Sequence, residues 1–210
     1  MNYVKQVKDG HYEFGRYMSK ERWSSVWHQL DEIQKLKPQR VLEIGPGPGL
    51  FKMLAVSFGI AVETLDFDPD VKPDHVGSAT ALPFADASYD VVCAFQMLEH
   101  LPYEVSMRAF GEMVRVSRRH VVISLPDTRA IWRYLIHVPK FGAHNFLVPR
   151  PQISAPKHEF DGEHYWEIGK RDYPLARVIA DFSKTASLIK TYRVPDNPVH
   201  RFFVFNHSAT

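Results

Sequence analysis

A short apolar segment that runs directly into alternating glycines constrains this chain more than any other feature. Residues 40–44 read as a buried strand, the sequence Gly-Pro-Gly-Pro-Gly follows, and residues 50–58 have a helical pattern. Glycine is needed where the backbone turns sharply and where a ligand must approach it closely. The first N–H groups of the following helix can bind an anionic group. The pattern predicts a ligand-binding turn, with a glycine-rich turn that binds nothing as the alternative.

The spacing of these glycines discriminates between classes of cofactor. Gly45, Gly47 and Gly49 alternate with two prolines, whereas a dinucleotide-binding loop has the pattern G-x-G-x-x-G. Leu50 occupies the third glycine position of that pattern, and proline lacks the N–H group that a pyrophosphate would use. Both observations argue against a nicotinamide or flavin dinucleotide, and therefore against an oxidoreductase.

An acidic residue follows the second predicted strand, residues 61–65. Asp66 lies about 20 positions after the first glycine, where doubly wound sheets carry an acid that accepts hydrogen bonds from ribose hydroxyls. We therefore predict that Asp66 binds a ribose. Asp68 and Asp70 are secondary candidates, because an acidic turn of this kind is also typical of a solvated surface.

Strands and helices alternate along most of the chain, which favours βαβ units and a parallel sheet with right-handed crossovers. The predicted helices are residues 19–36, 50–58, 103–116 and 174–182. The predicted strands are residues 40–44, 61–65, 75–77, 89–95, 120–125, 187–194 and 200–205. The short linker Pro-Asp-Asn-Pro between the last two strands predicts an antiparallel hairpin. Trp23 and Trp27 are predicted to pack the first helix on the sheet.

Residues 127–173 interrupt this regularity, with at most one short helix near residues 130–137. A long irregular segment in a compact domain is usually functional, so we predict that it covers the substrate. Its polar candidates, close to Tyr165 and Trp166, are His144, His158, Glu159, Asp161, Glu163 and His164. Their spacing matches no standard zinc motif, so contacts to a polar acceptor are predicted rather than a metal site. A metal site and ordinary loop packing are the alternatives.

Composition limits the class of protein. A length of 210 residues predicts a single domain over residues 1–210, and a net charge of +2 predicts no nucleic-acid partner. The single cysteine, Cys93, excludes an internal disulfide and a cysteine-based zinc cluster. The polar amino terminus and the short apolar runs predict a cytoplasmic protein without a membrane span.

Two further motifs follow the glycine loop and Asp66 in an order typical of one family. Residues 82–92 read LPFADASYDVV, and residues 96–102 read QMLEHLP. From residue 40 to about 125, the chain resembles class I S-adenosylmethionine-dependent methyltransferases of the small UbiE-like, type 11 family. The resemblance implies methyl transfer from S-adenosyl-L-methionine. It also implies an α/β, doubly wound, Rossmann-like fold with a mostly parallel seven-stranded sheet and an antiparallel C-terminal strand.

The resemblance assigns most cofactor contacts residue by residue. Glu43 and the backbone of residues 45–49 would hold the methionine part of the cofactor. Asp66 would hold the ribose, and Phe67 would lie against the adenine ring. Phe95 and Gln96, at the end of the fourth strand, would face the reacting methyl group.

One family position differs in this chain. The family often has Gly-Asp before the Leu-Pro-Phe run, and that aspartate contacts the adenine amino group. This chain has Gly77 and Ser78 instead. Ser78 and the backbone of Ala79 are therefore the predicted adenine contacts.

Two histidines are the predicted general bases. Methyl transfer requires alignment of the reactants, and a base is needed only if the acceptor atom arrives protonated. His100 follows the fourth strand, close to the expected methyl position, although a histidine that only begins a helix is the alternative. His164 belongs to the polar residues of the 127–173 segment.

The predicted acceptor is a small molecule that reacts through oxygen or nitrogen, with a sugar or a surface-polysaccharide precursor as the suggested class. A helical cap at residues 1–38 would cover it, and Tyr12, Phe14 and Tyr17 would belong to this cap or to the core. A non-catalytic regulatory module that binds S-adenosylmethionine is one alternative. An RNA methyltransferase, which requires a basic channel, is another.

Overall fold

The computed structural model describes residues 12–152 and 154–207. Within them the strands are β1 (Val41–Ile44), β2 (Val62–Asp66), β3 (His75–Val76), β4 (Tyr89–Phe95), β5 (Ser117–Pro126), β6 (Ile131–Val138), β7 (Gly142–Pro149), β8 (Ser187–Arg193) and β9 (His200–Asn206). The α-helices are α1 (Phe14–Tyr17), α2 (Lys20–Leu36), α3 (Leu50–Ser57), α4 (Tyr103–Val116) and α5 (Leu175–Phe182). Short 3-10 helices span Pro69–Val71 and Leu98–His100.

Seven strands form one sheet in the order β3-β2-β1-β4-β5-β9-β8. Strands β1 to β5 are mutually parallel, and β9 runs antiparallel to both β5 and β8. β1 and β4 are buried along their whole length, as expected for strands covered by helices on both faces. The predicted mostly parallel, doubly wound sheet with an antiparallel C-terminal strand is confirmed.

The register of the sheet brings the carboxyl ends of its central strands to one edge. Ile44 of β1 pairs with Leu65 of β2, and Glu43 pairs with Cys93 of β4. The residues that follow these strands therefore emerge together. In open α/β sheets this edge is where ligands bind.

Each face of the sheet has its own apolar core. The cluster beneath α4 and α5 includes Phe110, Trp166, Phe182, Phe203 and Phe205. The cluster beneath α2 and α3 includes Ile33, Phe51, Val122, Phe202 and Val204. In the ranges that the structure describes, we find no helix with the length and apolar character required to cross a membrane.

The packing of α2 differs from the prediction. Trp23 and Trp27 are 43% and 59% exposed, whereas Val26 and Ile33 are buried and face the core. All four residues share helical spacing, so the pattern alone did not show which apolar side chains lie on the buried face. Residues 1–11 of the predicted cap lie outside the described residues.

A β-hairpin replaces the short helix that was predicted near residues 130–137. β6 and β7 pair in antiparallel fashion from the pair Ile131 and Pro149 to the pair Val138 and Gly142. The turn uses positive φ angles at Lys140 and Gly142. The prediction was wrong because β-branched and aromatic residues favour strands, and the apolar spacing of β6 does not discriminate a helix from a strand.

Two buried side chains, Asp127 and Trp166, anchor the 127–173 segment through hydrogen bonds. Asp127 is fully buried at the end of β5 and accepts hydrogen bonds from Arg129 Nε at 2.9 Å and Arg201 Nε at 2.7 Å. Near the other end, Trp166 is buried against α4 and donates from Nε1 to Ser106 Oγ at 3.1 Å. The residues just before Trp166 are therefore held at the edge of the sheet.

Candidate functional site

A cavity of about 780 Å³ opens at the carboxyl ends of β1, β2 and β4. This volume is typical of small-molecule sites. The predicted site residues that line it are Glu43, Gly45, Gly47, Asp66, Phe67, Ser78, Ala79, Phe95, Gln96, His100 and His164. Gly49 does not line the cavity but is the N-cap residue of α3. The structure thus brings most of the predicted cofactor residues and both predicted general bases into one space.

The glycine loop adopts a conformation that other residues rarely allow. Gly45, Gly47 and Gly49 have φ angles of +70°, +53° and +74°. A Cβ atom on Gly45 would lie 2.4 Å from Met97 Cγ, and one on Gly47 would lie 3.3 Å from the Tyr12 hydroxyl. The loop therefore needs glycine both for its backbone angles and for the close approach of its neighbours.

Glu43 places a buried carboxyl group beside this loop. Its side chain is buried, and Oε2 has no hydrogen-bond partner among the described residues. Burial raises the pKa of this group to about 8, although Lys52 opposes the shift. A buried acceptor without a partner requires compensation, which a cationic ligand group would provide. This arrangement fits the α-ammonium group of a methionine-derived cofactor.

Asp66 and Phe67 lie at the end of β2. Asp66 is half-buried, and its Oδ1 accepts a hydrogen bond from the Asp68 backbone N–H at 2.9 Å. Burial raises the pKa of the Asp66 carboxyl group. Phe67 is 48% exposed beside the cavity, so its ring is available to a planar group. The positions agree with the predicted ribose and adenine contacts, which remain predictions.

The turn at residues 77–80 forms the adenine end of the predicted site. Ser78 Oγ accepts a hydrogen bond from the Thr80 backbone N–H at 3.2 Å and lies 2.9 Å from Thr80 Oγ1. Ala79 packs against the apolar core and lines the cavity. Thr80 also lines the cavity, although the sequence analysis did not single it out, because only the family resemblance pointed to this turn.

Gln96 has a strained backbone at the end of β4. Its φ angle is +53°, its N–H donates to Ser124 O at 3.0 Å, and its Nε2 donates to Ser124 Oγ at 3.2 Å. Phe95 is buried and packs edge-on against Phe51. Left-handed conformations in residues other than glycine cluster at functional sites, which agrees with a role for Gln96 beside the reacting groups.

The two predicted histidines meet at the wall of the cavity. The rings of His100 and His164 lie 5.0 Å apart in an edge-to-face arrangement. His100 Nδ1 is 3.0 Å from Glu163 O, and His164 Nδ1 is 2.9 Å from Glu167 Oε1. Residues far apart in sequence therefore form one pair.

The two imidazoles differ in protonation. Burial and the neighbouring His164 lower the pKa of His100 to about 4. Burial also opposes protonation of His164, but its hydrogen bond to Glu167 and the nearby carboxyl of Glu99 outweigh this effect and raise its pKa. At neutral pH, His100 is neutral and His164 carries more positive charge than an ordinary histidine.

Glu99 is a site residue that the sequence analysis missed. It is fully buried and lines the cavity, and neither carboxyl oxygen has a hydrogen-bond partner in the described part of the chain. Burial raises its pKa to about 7, with an opposing contribution from His164. Its carboxyl oxygen and one nitrogen each from His100 and His164 all lie within 4.8 Å of one another. The motif QMLEHLP contained Glu99, but its flanking residues do not show that its side chain faces a cavity.

The remaining members of the predicted polar cluster are divided by the fold. Asp161 accepts hydrogen bonds from the backbone N–H groups of Glu163 and His164, at 2.9 and 2.7 Å. His158 Nε2 is 2.9 Å from His164 O, so it supports the same turn. Glu159 and His144 are exposed and do not line the cavity. Only Glu163 and His164 of this set line the cavity.

His200 is a second cavity residue that the sequence analysis missed. It begins β9, is buried, and its Nδ1 has no hydrogen-bond partner among the described residues. Burial lowers its pKa to about 3, so the ring is neutral at physiological pH. Nothing in its sequence context marks it as more than a strand residue.

The pKa of Glu43 predicts a pH-dependent affinity for S-adenosylhomocysteine. In the free protein the carboxyl group is mostly protonated below about pH 8, and the ligand ammonium favours the carboxylate. Binding therefore releases a proton, and the affinity should rise several-fold between about pH 6.0 and 7.5. Calorimetric titrations across this range measure the rise. In Glu43→Gln the rise should disappear; an equal rise in both proteins would contradict this assignment.

Comparison with known proteins finds similarity in the central part of the chain. Residues 42–125 match the family model described as "Methyltransferase domain". An "Uncharacterized methyltransferase" of Mycobacterium sp. (strain JLS) is 34% identical over 116 residues, which are 50% of this chain and 42% of that protein. The matched part of the chain thus spans less than half the length of this relative.

Solved structures agree in fold. The PH0226 protein from Pyrococcus horikoshii OT3 is similar with a TM-score of 0.63 and 16% identity, over 95% of this chain and 99% of that one. The 1,6-didemethyltoxoflavin-N1-methyltransferase of Burkholderia thailandensis, solved with 1,6-didemethyltoxoflavin and S-adenosylhomocysteine, has a TM-score of 0.60 and 13% identity, over 93% of this chain and 83% of that one. Residues 42–125 are thus similar to a methyltransferase domain, and the likeness to these solved structures shows the fold alone.

Proposed function

We propose that this chain transfers the methyl group of S-adenosylmethionine to an oxygen or nitrogen atom of a small-molecule acceptor. The observation that carries the proposal is the single cavity that joins the glycine loop to the His100 and His164 pair. A methyl transfer requires two ligands side by side in one water-poor space. This cavity offers different chemistry at its two ends.

The part of the cavity formed by the glycine loop, the end of β2 and the turn at residues 77–80 would bind and orient the cofactor. Glu43 and the loop backbone would hold the methionine part, and Asp66 would accept hydrogen bonds from the ribose. Phe67, Ser78 and the backbone of Ala79 would contact the adenine. When bound, S-adenosylmethionine supplies a methyl group on a sulfonium, and alignment with the acceptor atom is the main task left to the protein.

The acceptor end is polar and partly aromatic. The residues assigned to this end all line the cavity; they are Gln96, His100, His164, Tyr165 and His200. Hydrogen-bonding side chains beside an aromatic ring suit a hydroxyl-rich or heterocyclic molecule, and the suggested sugar-like acceptor belongs to this class. The Burkholderia thailandensis methyltransferase, solved with bound 1,6-didemethyltoxoflavin, supports a small-molecule acceptor.

Two segments would close the site. Residues 163–165 and Glu167 of the 127–173 segment line the cavity, and so does Arg22 of α2. Tyr12 and Tyr17 also line it, whereas Phe14 is exposed. These positions support the proposal that residues 1–38 form a cap and that residues 127–173 are a substrate-side insertion within one domain.

The arginines at the end of α4 and the start of β5 do not favour an RNA acceptor. Arg115 donates to Glu112 at 2.7 Å and to Asp86 at 2.7 Å, and Arg118 donates to Asp90 at 3.3 Å. Their charges are thus balanced by carboxylates on the surface. Binding of a nucleic acid requires cations that are available to phosphates.

A transfer assay tests the proposed function. The protein would be incubated with methyl-labelled S-adenosylmethionine and, separately, with sugar nucleotides, amino-bearing heterocycles and RNA. We expect label in a small-molecule acceptor and none in RNA. Cofactor binding without transfer to any acceptor would favour the regulatory-module alternative, and salt-sensitive labelling of RNA would favour the RNA methyltransferase.

A further inference from the structure

Glu99, His100 and His164 bring three potential metal-ligating side chains together, which methyl transfer itself does not require. One carboxyl oxygen and two imidazole nitrogens, all within 4.8 Å of one another, face the acceptor end of the cavity. We propose that these three residues bind one divalent transition-metal ion, which would in turn bind an oxygen atom of the acceptor. Metal binding here is independent of the proposed function, whereas the contact to the acceptor rests on it.

The hydrogen bonds of the two histidines orient them as metal ligands. Glu163 O accepts from His100 Nδ1, and Glu167 Oε1 accepts from His164 Nδ1. Each contact holds a ring proton on Nδ1, so that Nε2 is the nitrogen that would give its lone pair to a metal, which would displace any second proton from His164. A carbonyl or carboxylate behind each ligating histidine is the usual arrangement in metal sites, because it sets the tautomer and the ring direction.

Glu99 provides the second, independent observation. Its carboxyl group is fully buried, and both oxygens lack hydrogen-bond partners in the described residues. A buried carboxyl group in that state costs free energy unless a cation or a donor compensates it. The Nδ1 contacts of His100 and His164 go to Glu163 and Glu167 and not to Glu99, and a cation among the three side chains would compensate the Glu99 carboxyl group.

The neighbouring carboxylates of Asp161 and Glu167 are not ligands of the proposed ion. A second group within 4.8 Å consists of Asp161, His164 and Glu167. Asp161 already accepts two backbone hydrogen bonds at the surface, and Glu167 is bound to His164 and lies 3.2 Å from Lys170 Nζ. Asp161 Oδ1 is thus used by the turn, and Glu167 serves as the group that orients His164.

The ligand set indicates the class of ion. Two imidazoles and one carboxylate suit first-row transition ions such as Zn²⁺, Co²⁺ or Mn²⁺ better than Mg²⁺ or Ca²⁺, which prefer oxygen. Two ligand atoms about 2.1 Å from one ion lie at most about 4.2 Å apart, so the side chains need to close only slightly. Three protein ligands leave a position open for an acceptor oxygen.

The proposed ion would assist transfer to a hydroxyl group. Coordination makes the hydroxyl proton more acidic, and that proton leaves to solvent. The acceptor oxygen then forms a bond to the methyl carbon as the bond from that carbon to sulfur breaks. Sulfur keeps the electron pair, and the products are the methyl ether and neutral S-adenosylhomocysteine.

Direct metal binding tests the proposal without any turnover. The full chain, treated with a chelator and dialysed, is titrated with Co²⁺ while its visible absorption is recorded, and with Zn²⁺ by calorimetry. We expect one ion per chain and a Co²⁺ spectrum typical of nitrogen and oxygen ligands. Glu99→Gln and His164→Gln should each weaken binding at least about 10-fold, and Glu167→Gln by about 10-fold.

Matched controls come from the exposed residues of the same segment. Glu159→Gln and His144→Gln should bind metal like the unmodified chain, because neither residue lies in the group. S-adenosylhomocysteine binding, measured in parallel, shows that each variant is folded. If Glu99→Gln fails that check, His164→Gln and Glu167→Gln decide the question.

Two results would overturn the metal site. One is the absence of saturable Co²⁺ and Zn²⁺ binding by the unmodified chain. The other is binding by the folded Glu99 and His164 variants that equals that of the two controls. Metal binding by a chain that binds no S-adenosylhomocysteine would retain the metal site while rejecting the proposed function.

Discussion

Asp66→Ala is expected to weaken S-adenosylhomocysteine binding at least about 100-fold. The half-buried carboxylate at the end of β2 is placed to accept hydrogen bonds from two ribose hydroxyls, and hydrogen bonds to charged groups contribute about 1.5–3 kcal/mol each. A loss of about 2.8 kcal/mol corresponds to a 100-fold weaker complex. Calorimetry at neutral pH measures the change.

Two further variants, Asp66→Asn and Asp31→Asn, show whether a loss of affinity comes from the missing Asp66 charge or from a change in the fold. Asp66→Asn keeps a side-chain oxygen for the Asp68 backbone N–H but removes the charge, so we expect about a 10-fold loss of affinity. Asp31 lies on α2 and pairs with Lys35 away from the cavity, so its variant should bind as the unmodified chain does. Equal affinities of the Asp66→Ala and Asp31→Asn proteins would refute the ribose contact.

Gly45→Ala is expected to destabilise the protein by about 2–5 kcal/mol and to weaken cofactor binding at least 10-fold. An L-residue at φ of +70° costs about 1–2 kcal/mol, and the new Cβ would lie 2.4 Å from Met97 Cγ, which adds about 1–3 kcal/mol of overpacking. Chemical denaturation measures the first effect, and titration with S-adenosylhomocysteine measures the second.

A second glycine in this chain serves as the matched control. Gly111 lies inside α4, and a Cβ there would meet no atom within 4 Å. Gly111→Ala should therefore stabilise the protein by about 0.5–1 kcal/mol. Adding Met97→Ala to Gly45→Ala should relieve only the overpacking part of the loss. If both glycine variants change stability in the same direction, the strained-loop account is wrong.

The sheet and the conformation of the glycine loop were predictable because their signals are local. Apolar strands such as β4, the alternating glycines and the acid at the end of β2 each report on neighbouring residues. The parallel order then follows from the rules that govern βαβ connections. These rules also bring Gly45, Asp66 and Gln96 to one edge without any knowledge of side-chain contacts.

The acceptor end was not predictable in the same way. Glu99 and His164 are distant in sequence, and tertiary contacts bring them together, among them the buried anchor at Trp166 and the hydrogen bond from the Tyr165 N–H to Glu99 O. The exposure of Trp23 and Trp27 depends on which faces the rest of the fold leaves uncovered. Local propensity carries no information about that choice.

The most direct test of the account is a calorimetric comparison of S-adenosylhomocysteine and NAD on the unmodified chain. We predict saturable binding of S-adenosylhomocysteine, one molecule per chain, and no binding of NAD. The prediction rests on the alternating glycines with two prolines, on the buried Glu43 and on the acid at the end of β2. Binding of NAD, or binding of neither ligand, would contradict the assignment of this cavity to the methyl donor.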